Sequence, residues 1–273
     1  MDTRFGLLVV AAAGLVCAAP ACAQDEEAQP VGYTDTPFLP GGKYRVHDPD
    51  RPHPQIITPG AQYGAPPSDA IVLFDGTSLD AFTKLDGEPA GWILKDGYMQ
   101  VPALGFGNGG DIVTKQTFGD IQFHMEWASP AQVVSNSQGR GNSGVYFMQR
   151  YEVQVLDSFE NITYADGQAS ALYGQKPPLV NAARAPGEWQ TYDIIFEAPK
   201  WDEGELVKKA YVTVLHNGVV THHRQSYQGP SVWRELAKYE EHEGKAPLQF
   251  QDHGNPVRYR NMWVRELDFD AND

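Results

Sequence analysis

The chain has little cysteine, little basic charge and no long apolar run in its main part. Its 273 residues include two cysteines, Cys17 and Cys22, both near the amino terminus. A chain that loses this segment keeps no residue for a disulfide framework or a thiolate site. Lys and Arg number 21 against 35 Asp and Glu, so the formal net charge is −14. This acidity gives no electrostatic basis for binding nucleic acid or anionic membranes.

The amino terminus, MDTRFGLLVVAAAGLVCAAPACAQ, has the order of a secretory signal peptide. Arg4 precedes an apolar run over 5–19, and the small residues 21–23 form a cleavage site. The run is too short to cross a membrane comfortably, and no later segment is long and apolar enough to be transmembrane. We therefore expect residues 1–23 to be removed from a periplasmic or secreted protein. A lipid anchor on Cys22 is the less favoured alternative, because Ala-Pro before it makes a poor lipidation box.

Residues 24–69 are rich in Pro and Gly, which exclude long helices and central strands. Apolar side chains such as Tyr33, Phe38, Tyr44 and Ile56 are more frequent here than in a disordered linker. We predict an extended arm packed across the main domain. A tether to the envelope is an equal alternative for its first ten residues or so.

From Ala70 onward, short alternating or β-branched runs recur between turn signals. The runs include AIVLF, DIQFHMEW, SGVYFMQ, YEVQVLD and PLQFQDH, and the separators include DG, NGG and NG. One short stretch, VWRELAKYEEH (232–242), has a helical pattern. Many strands without helical crossovers predict an antiparallel all-β sandwich or barrel in a single domain over 70–268, with 269–273 as a tail.

Successive side chains of a strand point to opposite faces, so each run can be divided into two. One face is apolar, and the other carries amides, imidazoles, carboxylates and tyrosine but no lysine. Such donors and acceptors suit the hydroxyls of a sugar, and the plain alternative is the polar face of an ordinary sandwich. The second face contains Gln122, His124, Glu126, Tyr146, Glu152, Gln154, Gln249, Gln251 and His253.

Familiar catalytic signatures are absent from the sequence, which has no Walker loop, HExxH, GxSxG or cysteine-based zinc motif. GFGNGG (105–110) opens no helix, so we interpret it as a loop. GRGNSGVYF (139–147) is more informative, because its glycines allow close approach of the backbone, and Asn142 with Ser143 is suited either to cap a turn or to bind a ligand at the mouth of a sheet.

Eight blocks resemble, in order, the 3-keto-disaccharide hydrolase family. They are LFDGTSLDAF (73–82), W-x-x-x-DG (92–97), DIVTKQTFGDIQFHMEW (111–127), GNSGVYF (141–147), YEVQVLDS (151–158), GEWQTYDIIFEAP (187–199), LHNGVV (215–220) and LQFQDHGNPVRYRNMWVREL (248–267). The resemblance covers about residues 70–268. It implies a concanavalin A-like jelly-roll sandwich of two antiparallel sheets, and an enzyme that cleaves sugars oxidised to a ketone at C3. Some members are described as 3-keto-glucoside 1,2-lyases.

That chemistry requires a base at C2, an acid for the leaving oxygen and a group to hold the enolate charge. No cofactor is firmly expected, although a divalent cation is one possible holder of the enolate. As the acid/base set we predict Glu126, Glu152 and His253. As substrate-binding residues we predict His124, Asn142, Tyr146, Gln154, Asp157, Gln251 and Arg260. Asp157 faces inward if its strand bulges and otherwise fixes a neighbouring loop, and His124 is also a secondary acid/base candidate.

Two other functions remain open from the sequence. A sugar-binding module without catalysis is one, since the same sandwich is found in lectins and fold does not determine function. A retaining glucanase is the other, and it requires two carboxylates about 5 Å apart. YEVQVLDS supplies one acid at its middle position, so the glucanase is the weakest of the three. The anomer, the aglycone and the oligomeric state are left open.

Overall fold

The computed structural model describes residues 29–269, so the predicted signal peptide and the last residues of the predicted tail, 270–273, lie outside it. Within 29–269 there are fifteen strands and two single-turn 3₁₀ segments, Ser137–Gly139 and Ala165–Gly167, but no α-helix. None of the helical segments in this range could span a membrane. The predicted all-β class is confirmed.

The strands are β1 (Ile71–Phe74), β2 (Phe82–Lys84), β3 (Ile93–Lys95), β4 (Tyr98–Gln100), β5 (Ile112–Phe118), β6 (Ile121–Ala128), β7 (Ser143–Phe147), β8 (Tyr151–Val155), β9 (Gln190–Glu197), β10 (Lys200–Asp202), β11 (Glu205–Lys208), β12 (Tyr211–His216), β13 (Val219–Ser226), β14 (Ala246–Phe250) and β15 (Arg258–Glu266). The larger sheet has the order β13-β12-β9-β6-β15-β4-β3, with β1 also paired to β15. The smaller sheet has the order β2-β5-β14-β7-β8, and β10 pairs with β11 alone.

The two sheets pack face to face through a core of aromatic and aliphatic side chains. Phe123 of β6 contacts Phe147 of β7 with ring centroids 6.0 Å apart, and Phe147 stacks on Phe196 of β9 at 4.8 Å. All three rings are almost completely buried. Each such side chain stabilises the fold by about 1.5–3 kcal/mol through removal of apolar surface from water. Apolar and polar residues therefore alternate in sequence for the predicted reason, which is that each strand buries one face in the core.

The edge strand β8 is held at nearly every backbone group. Tyr192 and Tyr227 extend their hydroxyls to the carbonyl oxygens of Gln154 and Glu152, at 2.8 and 3.1 Å. The Glu152 N–H donates to Ser231 Oγ at 3.1 Å. Because an unpaired edge invites slippage and pairing with other chains, these contacts fix the register of β8.

Contacts divide the chain into two units, with the division after His53. In the first unit, residues 29–53 form an irregular hairpin. Leu39 N donates to Tyr44 O at 2.9 Å, and the Arg45 guanidinium lies 4.0 Å from the centre of the Phe38 ring. Residues 54–69, called the strap below, belong to the same unit as the sandwich.

The helix predicted over 232–242 is not formed. This segment consists of turns and extended chain. Its side chains have tertiary partners that a helix of this length would not reach together. Tyr239 Oη accepts from Ala210 N at 2.8 Å, and His242 Nε2 bonds the Tyr151 hydroxyl at 2.8 Å. Tertiary contacts of this kind override a weak local preference.

Candidate active site

A cavity of about 550 Å³ lies on the face of the smaller sheet that points away from the core. Its floor consists of side chains from β7 and β8, which alternate with core residues such as Tyr151 and Val153. Loops provide the walls. The lining residues are Phe106, Gln138, Asn142, Tyr146, Glu152, Gln154, Tyr164, Tyr173, Ser231, Val232, Trp233, Gln251 and His253.

Six of the residues predicted from sequence meet in this cavity. They are Asn142, Tyr146, Glu152, Gln154, Gln251 and His253. The cause is the antiparallel register of β7 and β8, which pairs Tyr146 with Glu152 and Gly144 with Gln154. Cross-strand partners on one face have neighbouring side chains, so strand alternation brings this group together. Their roles stay predictions.

Glu152 is the buried acid at the centre of the floor, with 2% of its surface exposed. Its carboxylate lies against the backbone of Gly144, where a methyl group would overlap Oε1. Burial raises the pKa of Glu152 to about 8, a hydrogen bond from Tyr146 lowers it, and the charge of Asp111 raises it further. At neutral pH the protonated form of Glu152 therefore predominates, and a minor fraction is ionised.

Gln154 links Glu152 to the wall of the cavity. With its amide nitrogen toward Glu152, Gln154 donates to Glu152 Oε1 and to the Ser143 carbonyl, each at 2.9 Å. In the opposite orientation the nitrogen donates to Gln138 Oε1 at 3.0 Å. The first orientation is the one that fits, because in the second the amide oxygen would face acceptors only. Gln154 is therefore a hydrogen-bond donor to Glu152.

His253 stands half-buried at the side of the cavity. Its ring meets Phe106 edge to face with centroids 4.6 Å apart, and Phe106 comes from the predicted loop 105–110. Burial lowers the pKa of His253, while the nearby charges of Asp252 and Asp111 oppose that change. The imidazole is therefore neutral at pH 7 and able to accept a proton.

Glu126, His124 and Arg260 lie elsewhere, and the expectation that they share a face with Glu152 is wrong. They belong to β6 and β15 of the larger sheet, where the side chains that alternate with core residues leave on the opposite side of the sandwich. Glu126 Oε2 accepts from Arg260 Nε at 2.7 Å. Strand polarity does not reveal which sheet a strand joins. The sequence pattern therefore assigned the outer faces of two different sheets to one face.

On this outer face, a cluster holds the strap. His124 Nδ1 lies 2.7 Å from Asp193 Oδ1, and the Tyr63 hydroxyl of the strap donates to Asp193 Oδ2 at 2.5 Å. Asn261 Nδ2 and Trp263 Nε1 donate to the Gly64 carbonyl at 2.9 and 2.8 Å. Asn261 reaches this position through a bulge in β15 and a backbone φ of 46°. The role of His124 here is that of a buried anchor.

Asp157 also lies outside the cavity. It follows the end of β8 and accepts from Arg140 Nε and Nη2 at 2.9 and 2.6 Å, beside a second cavity of about 330 Å³. This is the outcome expected without a bulge, since the pair fastens the loop that carries Asn142.

Loop residues make up the part of the lining that the sequence did not single out. They are Phe106, Gln138, Tyr164, Tyr173, Ser231, Val232 and Trp233. Most of them belong to no periodic run, and Val232 and Trp233 lie in the stretch whose helical pattern the structure does not follow. An aromatic residue next to a glycine in a loop is a signal that finds Phe106 and Tyr173, and no such signal marks Tyr164 or Trp233.

A metal site formed by three or more His, Cys, Asp or Glu side chains is not present within 29–269. The cavity instead presents neutral donors and acceptors around one carboxyl group. This donor set suits a neutral, hydroxyl-rich ligand.

Comparison with known proteins shows which protein family this chain is similar to. The 3-keto-alpha-glucoside-1,2-lyase-like domain matches residues 69–265. A curated 3-keto-disaccharide hydrolase from Bacteroides thetaiotaomicron is 26% identical over 244 residues, which cover 72% of this chain and 78% of that protein. Both agree with the resemblance carried by the eight sequence blocks.

Solved structures agree on the architecture. A presumed glycosyl hydrolase from Parabacteroides distasonis is 41% identical, with a TM-score of 0.75 over 88% of this chain and 100% of that one. A second from the same organism, 21% identical, has a TM-score of 0.53 over 73% of this chain and 94% of its own, and shares the fold. The chain belongs to the 3-keto-alpha-glucoside-1,2-lyase-like domain family.

Proposed function

We propose that the protein cleaves the glycosidic bond of 3-keto-glycosides, 3-keto-disaccharides among them, by elimination across C1 and C2 followed by rehydration. The observation that carries this proposal is the buried carboxyl of Glu152, which has a pKa of about 8 at the floor of a cavity of amides and hydroxyls. The family and the hydrolase from B. thetaiotaomicron support the choice of a C3-oxidised sugar.

The route follows from the acidity of the C2 hydrogen next to a ketone. A base removes that proton, and the electron pair of the C–H bond forms the C2–C3 double bond of an enolate. The enolate collapses, the ketone is restored, a C1–C2 double bond forms and the bond from C1 to the leaving oxygen breaks. Water then adds at C1 while C2 regains a proton, so the net result is hydrolysis.

Three side chains of the cavity have the protonation states that these steps require. Neutral His253 serves as the base at C2. Protonated Glu152 gives its proton to the leaving oxygen and, once ionised, activates the water that adds at C1. The Tyr146 hydroxyl, whose pKa burial raises far above neutrality, stays protonated and donates to the enolate oxygen.

The amides position the sugar around these groups. Gln251 Nε2 donates to Tyr146 Oη at 3.3 Å and orients that hydroxyl. Asn142 and Gln154 offer donors and acceptors for the remaining hydroxyls. Of the described residues that line the cavity, Glu152 alone is a carboxylate, which disfavours a retaining glucanase because that mechanism uses a pair.

The test is to incubate the purified protein with a 3-keto-disaccharide and with its unoxidised parent. We expect cleavage of the keto sugar alone. Cleavage of the parent would indicate an ordinary glycosidase, and binding without cleavage of either would indicate a lectin-like module. The same assay with a chelator determines whether turnover needs a divalent cation.

Elimination can be separated from direct hydrolysis by running the reaction in D₂O. Elimination and rehydration place deuterium at C2 of the released 3-keto sugar, because that carbon is reprotonated from solvent. Product formed at early times without deuterium at C2 would refute the elimination route. Unreacted substrate and added product, sampled at the same times, measure exchange by simple enolisation.

A further inference from the structure

A third cavity, of about 580 Å³, adjoins the candidate active site. Tyr164, Tyr173 and Trp233 line both cavities and form a shared aromatic wall. The rest of the third cavity consists of Asp166, Gly174, Arg234, Glu235 and Leu236. A ligand larger than one sugar ring would therefore extend from one cavity into the other past aromatic rings.

The aromatic wall is built from fixed contacts. The hydroxyls of Tyr164 and Tyr173 bond each other at 2.8 Å. The Tyr164 ring lies on the backbone of Gly167, where a Cβ would overlap the ring. The Gly167 carbonyl accepts from Gln138 Nε2 at 2.9 Å, and the Gln138 side chain is within bonding distance of Gln154. The wall and the floor beside Glu152 are thus joined by hydrogen bonds.

Two apolar side chains of the third cavity, one of them in the aromatic wall, are open to solvent. Trp233 is 68% exposed and Leu236 97% exposed, and the Arg234 guanidinium lies 5.2 Å from the centre of the Trp233 ring. An exposed aromatic beside a polar cavity commonly marks a place where a ligand contributes the missing apolar surface. A pyranose has such a surface in the C–H groups of its ring face.

The charges around the third cavity indicate a neutral ligand. Asp166 and Glu235 outnumber Arg234, and the whole chain carries a net charge of −14. An anionic sugar would meet repulsion here, whereas hydroxyls find acceptors in the carboxylates and donors in the guanidinium.

We propose that the third cavity is the subsite for the leaving group, and that it binds a second neutral hexopyranose ring stacked on Trp233. The inference rests on the proposed function, since it assigns the oxidised ring to the cavity of Glu152 and the departing ring to the far side of the aromatic wall. It makes the preferred substrate a disaccharide.

Binding tests this without requiring turnover. The Glu152→Gln variant is titrated by calorimetry with a 3-keto-disaccharide and with methyl 3-keto-glucoside, which lacks the second ring. We expect the disaccharide to bind about tenfold more tightly, and Trp233→Ala in that background to remove most of the difference. Trp189→Ala is the matched control, because Trp189 packs under Arg260 on the outer face of the larger sheet.

A second variant keeps Trp233 and moves the wall instead. Gly167→Ala displaces the Tyr164 ring and also crowds Gln138 Nε2, so it is expected to weaken the binding of the disaccharide more than that of methyl 3-keto-glucoside. Equal affinity for the two ligands, or an equal loss for both in Trp233→Ala, would overturn the subsite. Intact disaccharide preference together with no turnover by the wild-type protein would instead refute the proposed function and leave the subsite standing.

Discussion

The carboxylate of Glu152 lies against Gly144 on the neighbouring strand, in space that a side chain on Gly144 would fill. The buried acid therefore owes its position to the absence of one methyl group. The Tyr146 ring closes the same space, since a Cβ on Gly144 would lie 3.1 Å from Tyr146 Cε2. The position of the acid can be changed without changing the acid itself.

Gly144→Ala is expected to reduce kcat about tenfold or more, because it displaces the Glu152 carboxylate from its bonds to Gln154 and Tyr146. The fold should persist, with a loss of about 1–3 kcal/mol from overpacking. Steady-state kinetics and urea denaturation measure the two effects. Gly244→Ala, at a glycine with open space around it, is the control. Unchanged kcat in Gly144→Ala would mean that the carboxylate position is unimportant.

Replacing each of two glutamates should separate the two faces of the sandwich. Glu152→Gln removes the proton donor and is expected to lower kcat by about 10²–10⁴-fold. Glu126 pairs with Arg260 on the outer face, away from the cavity, so Glu126→Gln should leave kcat within about twofold. The opposite ranking would return Glu126 to the reaction and exclude the cavity.

The pH profile of kcat/KM should be bell-shaped. His253 must be neutral, and its pKa lies below the usual 6.5, so activity falls on the acidic side. Glu152 must be protonated, and its pKa of about 8 sets the alkaline limb. Residual activity in Glu152→Gln is expected to lose the alkaline limb and to keep the acidic one. An alkaline limb that stays in this variant belongs to another group.

Stability should also depend on the proton of Glu152. The pKa is 4.5 in the unfolded chain and about 8 in the folded one, so the folded state holds the extra proton between these values. The free energy of unfolding therefore declines as pH rises from about 4.5 to 8. Urea denaturation at pH 5 and pH 8.5 should show Glu152→Gln gaining stability relative to the wild type at the higher pH. An equal difference at both values would contradict the raised pKa.

Asp193 should have the opposite dependence. Burial alone would raise its pKa, but the hydrogen bonds from His124 and Tyr63 outweigh that effect and lower it. Its contribution to stability is thus present above the unfolded pKa of 3.8 and is lost as pH falls through the folded value. Asp193→Ala leaves the buried His124 Nδ1 without its hydrogen-bond partner and should cost about 1–3 kcal/mol.

A matched control for Asp193 lies on the same strand. Glu197 pairs with Arg224 and Lys208 at the surface, and Glu197→Gln should cost less than about 1 kcal/mol. Limited proteolysis of the strap should accelerate in Asp193→Ala and not in Glu197→Gln. Equal protection in both variants would show that the strap is held by other contacts.

Strand alternation predicted the floor of the cavity correctly for a physical reason. Within one strand the period of two is fixed by backbone geometry, so Glu152 and Gln154 had to share a face opposite Tyr151 and Val153. The pairing of β7 with β8 then follows from a short connection. These relations are local, and a local pattern carries them.

The errors came from relations that are not local. The sheet to which β6 belongs depends on its pairing with β9 and β15, far along the chain, so Glu126 was assigned to the wrong face. Of the wall residues, Tyr164 lies in a loop without a period, and Trp233 lies in a segment whose helical pattern is not realised in the structure. The conformation of segment 232–242 depends on hydrogen bonds to Tyr151 and Ala210, and the sequence of the segment alone does not reveal these contacts.

The pairing of β1 with β15 joins the start of the sandwich to its end, with Ile71 opposite Val264. During synthesis on the ribosome, β1 emerges early and must wait for β15 before it finds its neighbour. β4 and β6 find their first partners, β3 and β9, earlier, but each also needs β15 on its other side. The larger sheet can close only after almost the whole domain has been made, so nascent chains expose these strands to chaperones until then.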